Sequence, residues 1–246
     1  MNMPSFLIIG APKSGTTSLY HYLAQHPQIY MSPIKEPQFY SFENENLNYY
    51  GPSENYIKNE IVTTLESYQA LFDDVLEEVA VGEASTSYLY ISSAASRIRH
   101  YIPHVKLIAI LRDPVEGAFS YFLDHIHCGI EPLKIEEFMT TFSPKEIEHR
   151  KKWSPFWKYS EMRFYYFHLR RFYDLFSSEQ IKIYLYEDFV SDPETILKDI
   201  FLFLEVNDNY SVEMSERHNV KRILKNNMLA TAFKSDNFYI IDFSGK

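Results

Sequence analysis

"FLIIGAPKSGTTSLYHYL", residues 6–23, is an apolar run that meets a turn containing Gly and Pro, then hydroxyls, then a helical pattern. Phe6–Ile9 is continuous and apolar, as in a strand buried on both faces. From Thr17 to Gln25 the spacing puts Leu19, Tyr22 and Leu23 on one face of a helix, and Pro27 stops it. A strand feeding a glycine-bearing loop and then a helix is an anion site. Loop and helix N–H groups face the ligand, and the helix dipole favours negative charge there. Lys13 adds a full positive charge, and Thr16 and Thr17 add hydroxyl donors. Gly10 and Gly15 have the spacing of the triphosphate loop G-x-x-x-x-G-K-[ST], but position 16 is Thr. The lysine sits inside the loop instead.

Outward from this loop, Val79–Val81, Val105–Leu111 and Ile181–Leu185 read as further buried strands. Helical patterns separate them over Ser92–Tyr101, over 161–176, and from the Asp192 cap with Pro193 at the first helical position. Strands alternating with helices predict an α/β fold, a central parallel sheet flanked by helices. The polar segment 43–60 reads as an exposed loop and 143–160 as a second insertion. After Val206 periodicity fades, so one domain is expected over 1–246, with its C-terminal part from about residue 207 divergent or truncated.

The chain has 246 residues and a net charge of −9, which disfavours nucleic acid or an anionic membrane as a general partner. An anionic ligand therefore needs a local basic cluster. Cys128 is the single cysteine, so no internal disulfide can form and a reducing compartment is expected. With no signal sequence or bilayer-length apolar run, the expectation is a cytoplasmic protein without a membrane span. Its 20 tyrosines and 19 phenylalanines can fill a thick core, and some can line a polar groove.

A second anion site lies in "LIAILRDPVEGAFSYF", residues 107–122. Asp113 and Pro114 are explained as the cap and first position of a helix. Arg112 is not: it stands past a strand's carboxyl end, where open α/β sheets bind ligands. Ser120 is about two turns into the helix and can face the same crevice. His125, His127 and Cys128 have no second Cys/His cluster to complete a metal site, so no metal is expected.

"PKSGTTSL" resembles the 5′-phosphosulfate loop of sulfotransferases that use 3′-phosphoadenosine 5′-phosphosulfate, and further stretches match in order over roughly residues 5–205. The resemblance implies the P-loop-like sulfotransferase fold and a donor held by Lys13, Ser14, Gly15, Thr16 and Thr17 at one end. At the other end it implies Arg112 and Ser120, with Arg217 from the basic run that includes Lys221 and Arg222. It implies 3′-phosphoadenosine 5′-phosphate as product, no metal, and a small-molecule or carbohydrate acceptor.

In the glycan-sulfating branch a glutamate before an apolar-x-aromatic-aromatic run is the catalytic base, and "EPQFY" gives Glu36 that place. Lys13 would stabilise charge on the leaving phosphate oxygen. Glu83, in "VGEASTSYLY", is the rival base at a strand end, with Ala84 where the branch often has lysine. Two other readings stay open: a nucleotide kinase using ATP and Mg²⁺, with Asp113 as its metal-holding acid, and a non-catalytic nucleotide-binding module.

Overall fold

Five parallel strands form one sheet in the order β2-β3-β1-β4-β5. They are β1 (Phe6–Gly10), β2 (Ile29–Met31), β3 (Ala80–Ala84), β4 (Lys106–Leu111) and β5 (Ile181–Leu185). This computed structural model describes residues 3–47, 61–129, 131–150, 153 and 155–214. The helices are α1 (Thr16–Leu23), α2 (Phe39–Phe42), α3 (Leu65–Gln69), α4 (Ser87–Tyr90), α5 (Ala94–Tyr101), α6 (Pro114–His127), α7 (Pro144–Arg150), α8 (Tyr165–Tyr173), α9 (Tyr186–Ser191) and α10 (Pro193–Leu204).

Successive side chains of β1 serve opposite faces of the sheet. Leu7 and Ile9 join Leu107, Ala109, Phe72, Leu89 and Phe172 in one core. Phe6 and Ile8 join Ile108, Ile110, Leu19, Leu23 and Phe201 in the other. That two-sided burial is why β1 and β4 read as apolar runs. Gly82 in β3 is needed for packing, because a Cβ there would lie 2.2 Å from the Phe6 ring.

A third cluster joins Ala118 and Phe122 of α6 to Phe138, Trp157 and Tyr159. Next to it Arg150 donates to both oxygens of Glu131 at 2.9 Å, and Tyr159 donates to Glu131. His125 Nδ1 lies 2.7 Å from the Tyr159 hydroxyl, which fixes the far end of α6. Burial, above all, pushes the His125 pKa down to about 4, so the ring is neutral near pH 7.

Several boundaries differ from the sequence expectation. The strand expected over Val79–Val81 runs through Ala84, which puts Glu83 inside β3. The helix expected over 161–176 is a 3-10 turn at Glu161–Arg163 followed by α8. The insertion 143–160 holds α7, and most of the 43–60 loop lies outside the described residues.

Candidate active site

β1 sits between β3 and β4; the chain leaves β1 toward the β2 edge of the sheet and leaves β4 toward the β5 edge. The crevice at its carboxyl end is therefore the switch point where α/β sheets bind ligands. Three segments reach it: residues 10–17 after β1, 84–88 after β3, and 111–124 after β4.

The first segment is the lysine-bearing loop. Gly15 is the N-cap of α1 at φ 83°, and no side chain caps that helix. The positive end of its dipole thus faces the loop. Lys13 also has left-handed backbone, at φ 62°. For a non-glycine residue this costs about 1–3 kcal/mol and persists only where neighbours hold it. Arg112 is one such neighbour, donating from Nη1 to the Lys13 carbonyl at 3.2 Å. Thr16 is buried and Thr17 half-buried at the start of α1. Ser14 is fully buried, and its hydroxyl has no partner among the described residues.

The segment after β4 supplies Arg112 and α6. Arg112 donates to Glu116 at 3.0 Å, packs over the Tyr186 ring at 4.6 Å, and keeps a buried Nε without a partner among the described residues. Asp113 Oδ1 accepts from the N–H groups of Val115 and Glu116, both at 2.9 Å, which is the expected cap. Glu116, Ser120 and Asp124 are four apart and share one stripe of α6. Asp124 lies 3.5 Å from the Lys13 ammonium. Ser120 therefore stands between two ion pairs that each hold a loop-side cation.

Arg163 belongs to the same cluster. It is buried and donates to the Pro12 carbonyl at 2.9 Å and the Gly117 carbonyl at 2.7 Å. Its guanidinium ties the loop to α6. Burial lowers the Lys13 pKa from its ordinary value, and the charges of Arg112, Lys35 and Arg163 act the same way, against an opposing contribution from Cys128. Three further cations thus act on Lys13 in a net-acidic protein.

The segment after β3 meets Glu36. The Glu36 N–H donates to the Ala84 carbonyl at 2.8 Å, attaching residues 35–38 to the strand end. Glu36 has φ 64°, again left-handed. Its Oε2 accepts the Thr86 N–H at 2.8 Å, the Thr86 hydroxyl lies 3.1 Å from Oε1, and Lys35 donates to Oε1 at 3.0 Å. The Glu36 side chain stays 27% exposed. Lys35, rather than position 84, brings a second lysine to this carboxylate.

Glu83 is placed differently. It is fully buried and accepts from Tyr68 at 3.1 Å and from Ser85 at 2.9 Å. Burial is the main cause that pushes its pKa up to about 7, against those hydrogen bonds, and the Glu36 charge adds to the rise. The buried Tyr68 and Tyr88 hydroxyls are pushed up in turn, by burial first and then by Glu83. Glu83 is thus a closed-in acid linked through Ser85, which accepts the Gln38 N–H at 2.9 Å, to a residue two positions after Glu36.

Arg217, Lys221 and Arg222 lie outside the described residues. Among the described residues no group of three or more His, Cys, Asp or Glu is arranged to hold a metal, and no helix is long and apolar enough to cross a membrane.

A model of the sulfotransferase family matches residues 4–210. The crystal structure of a sulfotransferase from Alicyclobacillus acidocaldarius superposes with a TM-score of 0.80 at 33% identity, over 89% of this chain and 88% of that one. The mouse bifunctional heparan sulfate N-deacetylase/N-sulfotransferase 4 is 28% identical over 220 residues, 85% of this chain and 23% of that protein. Mouse carbohydrate sulfotransferase 15 is 27% identical over 83% of this chain and 44% of its own length. The chain thus spans less than half of either curated relative.

Proposed function

The chain belongs to the sulfotransferase family, and from that premise we propose that it uses 3′-phosphoadenosine 5′-phosphosulfate to sulfate an acceptor hydroxyl or amine, with Glu36 as general base. The observation that carries this reading is the convergence of Lys13, Arg112 and Glu36 from three segments on one strand-end crevice. Lys13 with the α1 N-terminus suits the 5′ end of the donor. Arg112, just before α6, and Ser120, about two turns into it, suit its 3′-phosphate, which a planar guanidinium grips at two points.

The acceptor proton passes to a Glu36 oxygen as the acceptor oxygen bonds to sulfur. The bond from sulfur to the bridging oxygen breaks, and its electron pair stays on the 5′-phosphate beside Lys13. Positioning and charge stabilisation supply most of the acceleration in such in-line transfers. Glu36, partly exposed, suits direct proton transfer, whereas the enclosed Glu83 suits a supporting role behind it. Carbohydrate acceptors are favoured by the two relatives named for them. The kinase reading loses its support at Asp113, whose Oδ1 is engaged in capping α6.

Calorimetric titration with 3′-phosphoadenosine 5′-phosphate, and separately with ATP and Mg²⁺, tests this reading. Metal-independent binding of the bisphosphate, weakened by Arg112→Ala and kept by Glu36→Gln, is expected. Binding of ATP with Mg²⁺ alone would replace it with phosphoryl transfer.

A further inference from the structure

Lys35 has a use that a surface ion pair does not explain. Its side chain is only 22% exposed, and its ammonium donates to Glu36 Oε1 at 3.0 Å. Both Glu36 oxygens are already engaged. Oε2 accepts the Thr86 N–H at 2.8 Å, and the Thr86 hydroxyl lies 3.1 Å from Oε1 and 3.3 Å from Oε2. A carboxylate oxygen has two lone pairs in its plane. With Lys35 and Thr86 on Oε1, no well-directed lone pair is left there for an acceptor proton. Thr86 is held by the backbone of the β3 end and cannot easily withdraw. Lys35 is at the end of a flexible stem with three rotatable donors, so it is the partner that can leave.

It also has somewhere to go. Lys35 stands close enough to Lys13 for the two charges to repel, with Arg112 and Arg163 adding to the same field. An anion placed among them removes that repulsion and attracts the ammonium. The donor supplies such an anion at its 5′ end, in the sulfuryl oxygens.

Resting on the donor reading above, we propose that Lys35 contacts the sulfuryl group of the bound donor and in doing so releases Glu36 Oε1 to act as base. Lys35 exchanges one negative partner for another. No covalent bond is made or broken at the lysine, and Oε1 gains an open lone pair when the sulfuryl group draws Lys35 away.

The test compares 3′-phosphoadenosine 5′-phosphosulfate with 3′-phosphoadenosine 5′-phosphate as ligands for wild type, Lys35→Ala and Lys35→Arg, by calorimetry. At about pH 8 the two 5′ groups each carry about two negative charges, so a general loss of field affects both alike. The ratio of their dissociation constants isolates contact with sulfuryl. Wild type is expected to prefer the phosphosulfate. Lys35→Ala is expected to weaken the phosphosulfate about tenfold and the bisphosphate less than about threefold, with Lys35→Arg recovering part of the preference. Equal weakening of both ligands, or of neither, overturns the role for Lys35 while leaving the donor reading intact. A wild-type protein that binds neither nucleotide overturns the donor reading, and the role of Lys35 with it.

Discussion

Arg163 donates to the Pro12 carbonyl at 2.9 Å across 151 positions of sequence, and its other terminal nitrogen reaches Gly117. One buried guanidinium therefore sets the distance between the lysine loop and the helix that carries Ser120. Neither carbonyl is charged, so the planar two-point grip matters more than the charge alone.

Arg163→Lys keeps the charge and loses the fork. The expected outcome is weaker binding of 3′-phosphoadenosine 5′-phosphate by about tenfold, with a smaller loss in melting temperature than Arg163→Ala shows. Unchanged affinity in Arg163→Lys would reduce the residue to a source of positive field.

Gly117 is the other half of this clamp. A Cβ there would stand 2.8 Å from the Arg163 guanidinium carbon. Although alanine favours helix, Gly117→Ala is expected to lower stability by about 1–3 kcal/mol through overpacking. Urea denaturation measures it, and a more stable variant would mean that Arg163 moves aside without cost.

Glu83 makes stability depend on pH in a definite direction. Its pKa is raised from 4.5 to about 7 in the folded protein, so the folded state holds its proton more tightly than the unfolded chain. That contribution is complete below about pH 4.5 and is lost as pH rises through about 7. Glu83→Gln keeps a neutral amide in place and removes the effect. The variant should gain stability relative to wild type on going from about pH 5 to about pH 8, by on the order of 3 kcal/mol at most. A stability difference that does not vary with pH would show Glu83 ionised in the folded protein throughout.

Asp113 separates capping from metal holding. Asparagine caps helices as well as aspartate does, but it is a poor ligand for Mg²⁺. Asp113→Asn is expected to leave stability and nucleotide binding nearly unchanged, whereas Asp113→Ala costs about 1 kcal/mol. A large loss of nucleotide binding in Asp113→Asn would reopen the phosphoryl-transfer reading.

Much of this arrangement was legible in sequence because it is local. β1 and β4 are apolar runs buried on both faces, and Asp113 and Asp192 cap their helices as the spacing suggests. β5 was found as a strand but not as an edge: it pairs on one side only, and Lys182 and Leu185 are not buried. β2 was not legible: Ile29–Met31 is too short to show a period and lies between Pro27 and Pro33. Glu83 looked like a strand-end acid because its strand was read as stopping at Val81. Three more residues of pairing, Gly82 to Ala84, bury it, with Leu7 opposite Glu83 in the register. Arg163 left no sequence signal, since its partners are backbone carbonyls far away in the chain. Lys35 was visible only as a neighbour of Glu36, and its relation to Lys13 exists only in three dimensions.

The loop-side cations are not waiting bare. Lys13 faces Asp124 at 3.5 Å, Arg112 holds Glu116 at 3.0 Å, and Lys35 holds Glu36 at 3.0 Å. Any ligand must outbid a carboxylate at each position, so affinity here is a difference between two sets of partners. A small monovalent anion can displace at most one of them and gains little by the exchange. A ligand with charge at both ends displaces several together, because each departure frees its neighbour's surroundings. On the donor reading proposed above, these three pairs set a threshold on the charge and span of what enters, and an acidic protein would thereby admit one polyanion and ignore the salt around it.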